Sequence, residues 1–150
     1  MDNAEREGNL EEVKRLHNKG ETCTTHAMNY AAHNGHLEIV KWLHYNRTEG
    51  CTIWAMNYAA VYGHLEVIKW LHYNRTEGCT TDAMNWAVCN DHYEIIEFLK
   101  DKYPNLVSTN IIKQFIKNPT SDIYSLLVDE LPLQLIYCYY LSDPIDSYLV

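Results

Sequence analysis

The fold is decided by residues 23–50, which read CTTHAMNYAAHNGHLEIVKWLHYNRTEG. Residues 51–78 repeat this stretch with 22 of 28 positions identical, and residues 79–106 repeat it more loosely. A fixed period of this size is typical of stacked arrays of small structural units, in which each unit buries its apolar face against its neighbours. Such arrays bind other macromolecules along an extended face, and we expect that here.

Each unit contains two helices. Thr24 and Thr25 offer a hydroxyl N-cap before the helix-forming stretch 27–32, and Gly35 is suited to end that helix because glycine adopts the left-handed conformation readily. Apolar residues then recur at helical spacing over 37–43, and the polar stretch 46–50 lacks a strand-forming pattern. The unit is therefore predicted to be helix, tight turn, helix and loop.

The outer segments follow the same pattern in a weaker form. Gly8 to His17 matches Gly35 to His44 at an offset of 27 residues, with Arg15 in the place of Trp42, so the first unit is predicted to be a polar cap. Terminal repeats of such arrays are generally atypical. We therefore predict a single domain over 1–150, made of an N-terminal cap (1–22), core units (23–50, 51–78 and 79–106), a degenerate unit (107–130) and C-terminal capping helices (131–150).

Composition restricts the possible partners. The formal net charge is −8, which argues against nucleic acid or an anionic membrane as the main partner. No apolar run approaches the ~20 residues of a membrane-spanning helix, and the polar N-terminus does not resemble a signal peptide. We expect a soluble, cytoplasmic monomer.

The cysteines of the core units are predicted to be buried thiols. Cys23, Cys51 and Cys79 occupy equivalent positions about 8–10 Å apart, which is too far for disulfides.

The eight histidines do not predict a metal site. His17, His44 and His72 are separated by whole units, far beyond the spacing that Zn–N bonds of about 2.0–2.1 Å permit. His33 and His36 could bind one ion only incidentally. No phosphate loop, nucleophile motif or pair of catalytic carboxylates is present, and a linear array repeats its groups along a line rather than converging them on a cavity. We predict no metal, no cofactor and no enzymatic activity.

The stretch Ala31-Ala32-x-x-Gly35-His36-Leu37-Glu38-Ile39-Val40-Lys41-x-Leu43 resembles the ankyrin repeat, and the short Trp-containing units are similar to those of giant DNA viruses and some protists. The resemblance implies an all-α solenoid with a concave first-helix face that binds a protein partner without catalysis, in the host cytoplasm if the chain is viral. The family's unit of 33 residues is here shortened by five. We therefore expect its β-hairpin fingers to be shortened or absent.

The two closest units differ mainly on one helix face. Two of their six differences exchange Ile and Val, whereas the other four are radical and fall at positions 25, 26, 33 and 34 of the first of them. Positions 33 and 34 correspond to the variable first-helix positions that ankyrin repeats use for recognition. The predicted partner-binding residues are Arg6, Glu7, His26, His33, Asn34, Ile53, Trp54, Val61, Tyr62, Asp82, Cys89 and Asn90.

Three alternatives stay open. Trp54 could fill the groove left by the missing finger and contribute only to packing. The array could be a passive structural spacer. The segment Glu130-Leu131-Pro132-Leu133-Gln134-Leu135-Ile136 faintly resembles the start of an F-box, which would make the protein an adaptor for a ubiquitin ligase; a proline-initiated capping helix explains the same residues.

Overall fold

The computed structural model describes residues 2–107, which belong to one compact unit. Within these residues the chain forms α-helices in consecutive pairs: α1 (Asp2–Glu7), α2 (Leu10–Asn18), α3 (Thr25–His33), α4 (Leu37–Asn46), α5 (Ile53–Val61), α6 (Leu65–Asn74), α7 (Thr81–Cys89) and α8 (Tyr93–Lys102). A short 3-10 helix, Pro104–Leu106, follows α8. Residues 2–107 contain no strand, which confirms the all-α prediction for this part of the chain. None of these helices has the length and apolar character that a bilayer span requires.

The helix ends lie where the local sequence signals predict them. The Thr24 hydroxyl oxygen accepts a hydrogen bond from the backbone N–H of His26 at 3.2 Å, and Thr52 and Thr80 cap α5 and α7 in the same way. Gly35 follows α3 with a φ of +73°, a conformation that costs other residues free energy. Asp91 takes the equivalent place after α7 with a φ of 55°. The helix–turn–helix prediction for the core units is confirmed.

The first helices of successive units pack side by side, so that α3 lies between α1 and α5, and α5 lies between α3 and α7. These helices contain small residues that are fully buried, which permits a close approach of neighbouring elements: Ala31, Ala32, Ala59 and Ala60. Each second helix packs against the first helix of its own unit and adds branched apolar side chains, such as Ile68 of α6. One continuous core results from this stacking.

The N-terminal helix pair packs against the first core unit. α1 packs against α3, and α2 packs against α4, so the pair has a described neighbour on one side. Arg15, which stands where the next two units have tryptophan, is exposed and pairs with Glu12 at 2.5 Å. The polar cap over 1–22 stays a prediction.

Short loops connect the units in place of fingers. In the loop over residues 47–52, the Arg47 guanidinium donates to the Glu49 carboxylate at 2.5 Å and reaches back to His17 Nδ1 at 3.2 Å and the Glu21 carbonyl at 3.3 Å. The next loop repeats the arrangement with Arg75, Glu77 and His44. An arginine therefore ties each of these loops to the preceding unit.

The cysteines are less uniformly buried than the sequence predicts. Cys51 is buried, whereas Cys23 and Cys79 are half-buried. Three further predictions lie outside the described residues: the degenerate unit beyond Val107, the capping helices of 131–150 and the F-box-like segment of 130–136.

Candidate functional site

The predicted partner-binding residues lie at the two ends of the first helices. Of these residues, seven are exposed: Arg6, Glu7, His26, Trp54, Tyr62, Cys89 and Asn90. Five are half-buried: His33, Asn34, Ile53, Val61 and Asp82. Because α1, α3, α5 and α7 are neighbours, equivalent positions form rows across the stack, and the radical differences between units fall in two of these rows.

One row places His33 of α3 beside Tyr62, the residue that follows α5. The two ring centroids are 4.3 Å apart with an angle of 50° between the planes. The same His33 ring meets Tyr58 edge-on at 5.6 Å. Tyr62 keeps 53% of its surface exposed despite these contacts. The structure therefore brings two predicted site residues from different units into direct contact.

The other row contains Trp54, whose ring stacks on aromatic residues of two helices. Its centroid lies 5.3 Å from that of Tyr58 with an interplanar angle of 24°, and 6.3 Å from that of Trp86 at 27°. Tyr58 and Trp86 are themselves 6.3 Å apart and nearly parallel, at 10°. We name Trp54, Tyr58 and Trp86 the three-ring cluster. Trp54 is 40% exposed, and its ring contacts are with first-helix residues.

Sequence reasoning missed Tyr30, Tyr58 and Trp86. A comparison of units overlooks them, since every core unit has an aromatic residue at this position. The signal that could have found them is helical spacing: each stands four residues after a variable position and therefore on the same helix face. The ring of His26 lies 5.8 Å from that of Tyr30, which repeats the relationship one unit earlier.

Arg6, Glu7, Cys89 and Asn90 lie at the ends of α1 and α7, apart from these ring contacts. The backbone carbonyl of Arg6 accepts a hydrogen bond from His36 Nε2 at 3.2 Å. The Asn90 side-chain amide donates to the carbonyl of Trp86 at 2.8 Å and so caps its own helix. These residues occupy positions equivalent to His33 and Tyr62 but add no aromatic ring to the row.

Fixed charge is sparse on the central first helices. Helices α3 and α5 contain no Asp, Glu, Lys or Arg, and α7 contains Asp82 alone. Its carboxylate accepts a hydrogen bond from the Thr80 hydroxyl at 3.2 Å. By contrast, the lysines of α4 and α6 pair with glutamates on those second helices, at 2.8 and 3.0 Å.

The histidines in the turns hold neighbouring units together. His64 Nε2 donates to the carbonyl of His33 at 3.1 Å, and His92 Nε2 donates to that of Val61 at 3.0 Å. Burial lowers the pKa of His64, and the nearby histidines lower it further, against the opposing effect of its bond to the His33 carbonyl. Among the residues described, no three His, Cys, Asp or Glu side chains are grouped as metal ligands would be.

The second-helix histidines are also inter-unit contacts. The His44 ring meets Trp70 of the next unit edge-on at 5.1 Å, and His17 meets Trp42 at the same distance. His72 takes the equivalent place, with Nδ1 2.8 Å from the Tyr103 hydroxyl. The repeated histidines therefore serve the stacking of units.

Comparison with known families agrees with this architecture. A family model for ankyrin repeats, which describes three copies, matches residues 1–82 and again residues 30–110. None of the curated proteins matches the chain. Ankyrin repeats are generally protein–protein interaction modules and are typically non-catalytic. The two matches together cover more than half of the sequence, and the chain belongs to the ankyrin-repeat family.

Proposed function

We propose that the chain binds a protein partner on the first-helix face of α3, α5 and α7, without catalysing a reaction. The observation that carries this proposal is the position of the radical differences between the two closest units. They spare the core and place Trp54 and Tyr62 on the surface with 40% and 53% exposure. Large aromatic side chains with a polar surround are the usual composition of binding hot spots.

The surroundings of these two residues support a binding role. On one side lie His26, His33 and Asn34 of the preceding unit, and on the other lie Asp82 and Asn90 of the following one. An exposed aromatic centre costs solubility, and in monomeric proteins such patches usually mark interaction sites. The family's general role as a protein-binding module agrees with this interpretation.

The test is affinity capture followed by mass spectrometry from the cells that naturally contain the protein. The native chain is compared with the double variant Trp54→Ala/Tyr62→Ala. The matched control is Tyr45→Ala/Tyr73→Ala, which removes two rings that are 72% and 67% exposed on the second helices. We expect the first variant to lose a specific partner and the control to retain it, with both variants folded at the temperature of the experiment.

Two results would contradict the proposal. Equal capture by all three proteins would mean that the first-helix face is not the binding face. A large fall in melting temperature for Trp54→Ala alone would favour the interpretation in which this tryptophan contributes only to packing.

A further inference from the structure

We propose that the three-ring cluster, together with Asp82, binds an arginine side chain presented by an extended basic segment of the partner. This inference rests on the function proposed above and names the chemistry of the partner at that face. It is carried by the orientation of the rings, the position of one carboxylate and the distribution of charge over the described residues.

The rings provide aromatic faces of similar orientation. All three interplanar angles in the cluster are 27° or less, and the centroids lie 5.3 to 6.3 Å apart. Two of the three rings are tryptophans, which attract cations more strongly than other aromatic residues. A guanidinium group is planar and weakly hydrated, so it stacks flat on such a surface where a compact ammonium group cannot. The geometry therefore suits arginine.

Asp82 supplies a negative charge next to the cluster. It precedes Trp86 by four residues on α7, so the two side chains share one helix face with Cβ atoms about 5–6 Å apart. It also occupies the position in its unit that Trp54 occupies in the preceding one. A carboxylate has about four acceptor positions, and Thr80 uses one of them in the described structure. Asp82 therefore keeps the capacity to pair with a guanidinium.

The charge around the cluster favours a basic rather than an acidic segment. Asp82 is the one fixed charge on α3, α5 and α7, and the exposed Arg6 and Glu7 at the end of α1 carry opposite charges. The arginines of the inter-unit loops, Arg47 and Arg75, are engaged with Glu49 and Glu77. With a net charge of −8 for the whole chain, electrostatic attraction steers a basic segment towards the protein and repels an acidic one.

The experiment uses the full chain and three synthetic peptides of the same length. The first is Gly-Ser-Arg-Gly-Arg-Ser-Gly, the second has citrulline for both arginines, and the third has glutamate. Citrulline keeps the planar shape but lacks the charge. Binding is followed by NMR through the indole N–H signals of the four tryptophans. Trp54 and Trp86 report on the cluster, whereas Trp42 and Trp70, packed against His17 and His44, are internal controls.

We expect saturable shifts of the Trp54 and Trp86 signals with the arginine peptide, and much smaller ones with the citrulline and glutamate peptides. Asp82→Asn should weaken binding of the arginine peptide about fivefold, as expected for loss of a partly exposed charge pair. Trp54→Ala should weaken binding of this peptide by a similar factor or more. The matched control Asp91→Asn, which removes an exposed carboxylate in the turn after α7, should leave the affinity unchanged.

Several results would overturn this inference. Equal binding of the arginine and citrulline peptides, preference for the glutamate peptide, or equal shifts of all four tryptophans would each do so. Shifts of Trp54 and Trp86 that depend on protein concentration without peptide would show that a second copy of the chain covers the face. If Asp82→Asn binds the arginine peptide as tightly as the native chain does, while Trp54→Ala/Tyr62→Ala loses the captured partner, the proposed binding face stands and the arginine chemistry is wrong.

Discussion

The side-chain amide of Asn57 joins two units by forming two hydrogen bonds with Thr80. Its Nδ2 donates to the Thr80 hydroxyl oxygen at 2.8 Å, and its Oδ1 accepts from the Thr80 backbone N–H at 3.0 Å. Asn29 and Thr52 repeat the pair one unit earlier, at 3.0 and 3.1 Å. The threonine of each pair is also the N-cap of the first helix of its own unit. Each pair therefore satisfies a buried side-chain amide and also fixes the residue at which that helix begins.

Asn57→Ala should lower the free energy of unfolding by about 2–3 kcal/mol. The side chain is fully buried, and its removal leaves the backbone N–H of Thr80 without its partner, a loss of the size known for unsatisfied buried groups. Urea unfolding followed by circular dichroism measures the change. Asn74→Ala is the control, because that exposed amide donates to the carbonyl of Trp70 in its own helix. A loss no larger than that of the control would contradict the inter-unit role.

Gly35→Ala should destabilise the protein more than Gly20→Ala. Both glycines have a positive φ, 73° and 78°, so both variants carry backbone strain of about 1 kcal/mol or more. A Cβ on Gly20 would meet nothing within 4 Å, whereas a Cβ on Gly35 would lie 2.6 Å from the His64 ring. Both variants lose unfolding free energy through backbone strain, and the additional loss in Gly35→Ala therefore measures the steric conflict between the turn and the His64 ring of the next unit.

A double variant separates strain from contact at this turn. In the His64→Ala background, the ring that a Cβ on Gly35 would strike is absent, so the added cost of Gly35→Ala should fall to that of Gly20→Ala. The same urea titrations provide the measurement. Additive effects of Gly35→Ala and His64→Ala would show that the turn tolerates the extra carbon atom.

The helices were predictable because their signals are local. Thr24 as an N-cap and Gly35 after the first helix each act within a few residues of the chain, and the apolar spacing of the second helix is visible in one unit. The Asn57–Thr80 pair was not predictable in the same way. An asparagine repeated in every core unit is compatible with an exposed or a buried position, and only the stacking distance between units brings the threonine 23 residues later against it.

The candidate site was predicted only in part for a similar reason. Comparing units identifies positions that differ, such as Trp54 and Tyr62, and so it overlooks Tyr58 and Trp86, which are nearly constant. Ring contacts between Trp54 and Trp86 depend on how far apart α5 and α7 lie and how they are rotated, which the period of the sequence does not specify. The degree of burial of Cys23 and Cys79 depends on the same packing.

Cys89 should react with iodoacetamide in the native protein long before Cys51 and Cys79 do. Cys89 is exposed at the end of α7. Burial, with the charge of Glu77, raises the pKa of Cys51 to about 11, and burial raises that of Cys79 to about 12. At about pH 8 only about one Cys51 side chain in a thousand is then the reactive thiolate. Mass mapping of labelled peptides follows each thiol, and equal native-state rates for Cys51 and Cys89 would refute the packing described for the loop.

The stability of the protein should fall as the pH drops below about 6.5, partly through His64. Its folded-state pKa is lowered by burial and by the neighbouring His33, His36 and His92, so the unfolded chain binds the proton more readily. The contribution of this group to stability is therefore complete above the unfolded-state pKa of about 6.5 and is lost as the pH falls through the folded-state pKa.

The variant His64→Gln tests this prediction, because it keeps an N–H for the His33 carbonyl but cannot titrate. Urea titrations at several pH values between about 7.5 and 5.5 should show a weaker pH dependence for His64→Gln than for the native chain, whereas His26→Gln, at an exposed position, should behave like the native chain. The same pH dependence in all three proteins would mean that His64 titrates alike in the folded and unfolded states.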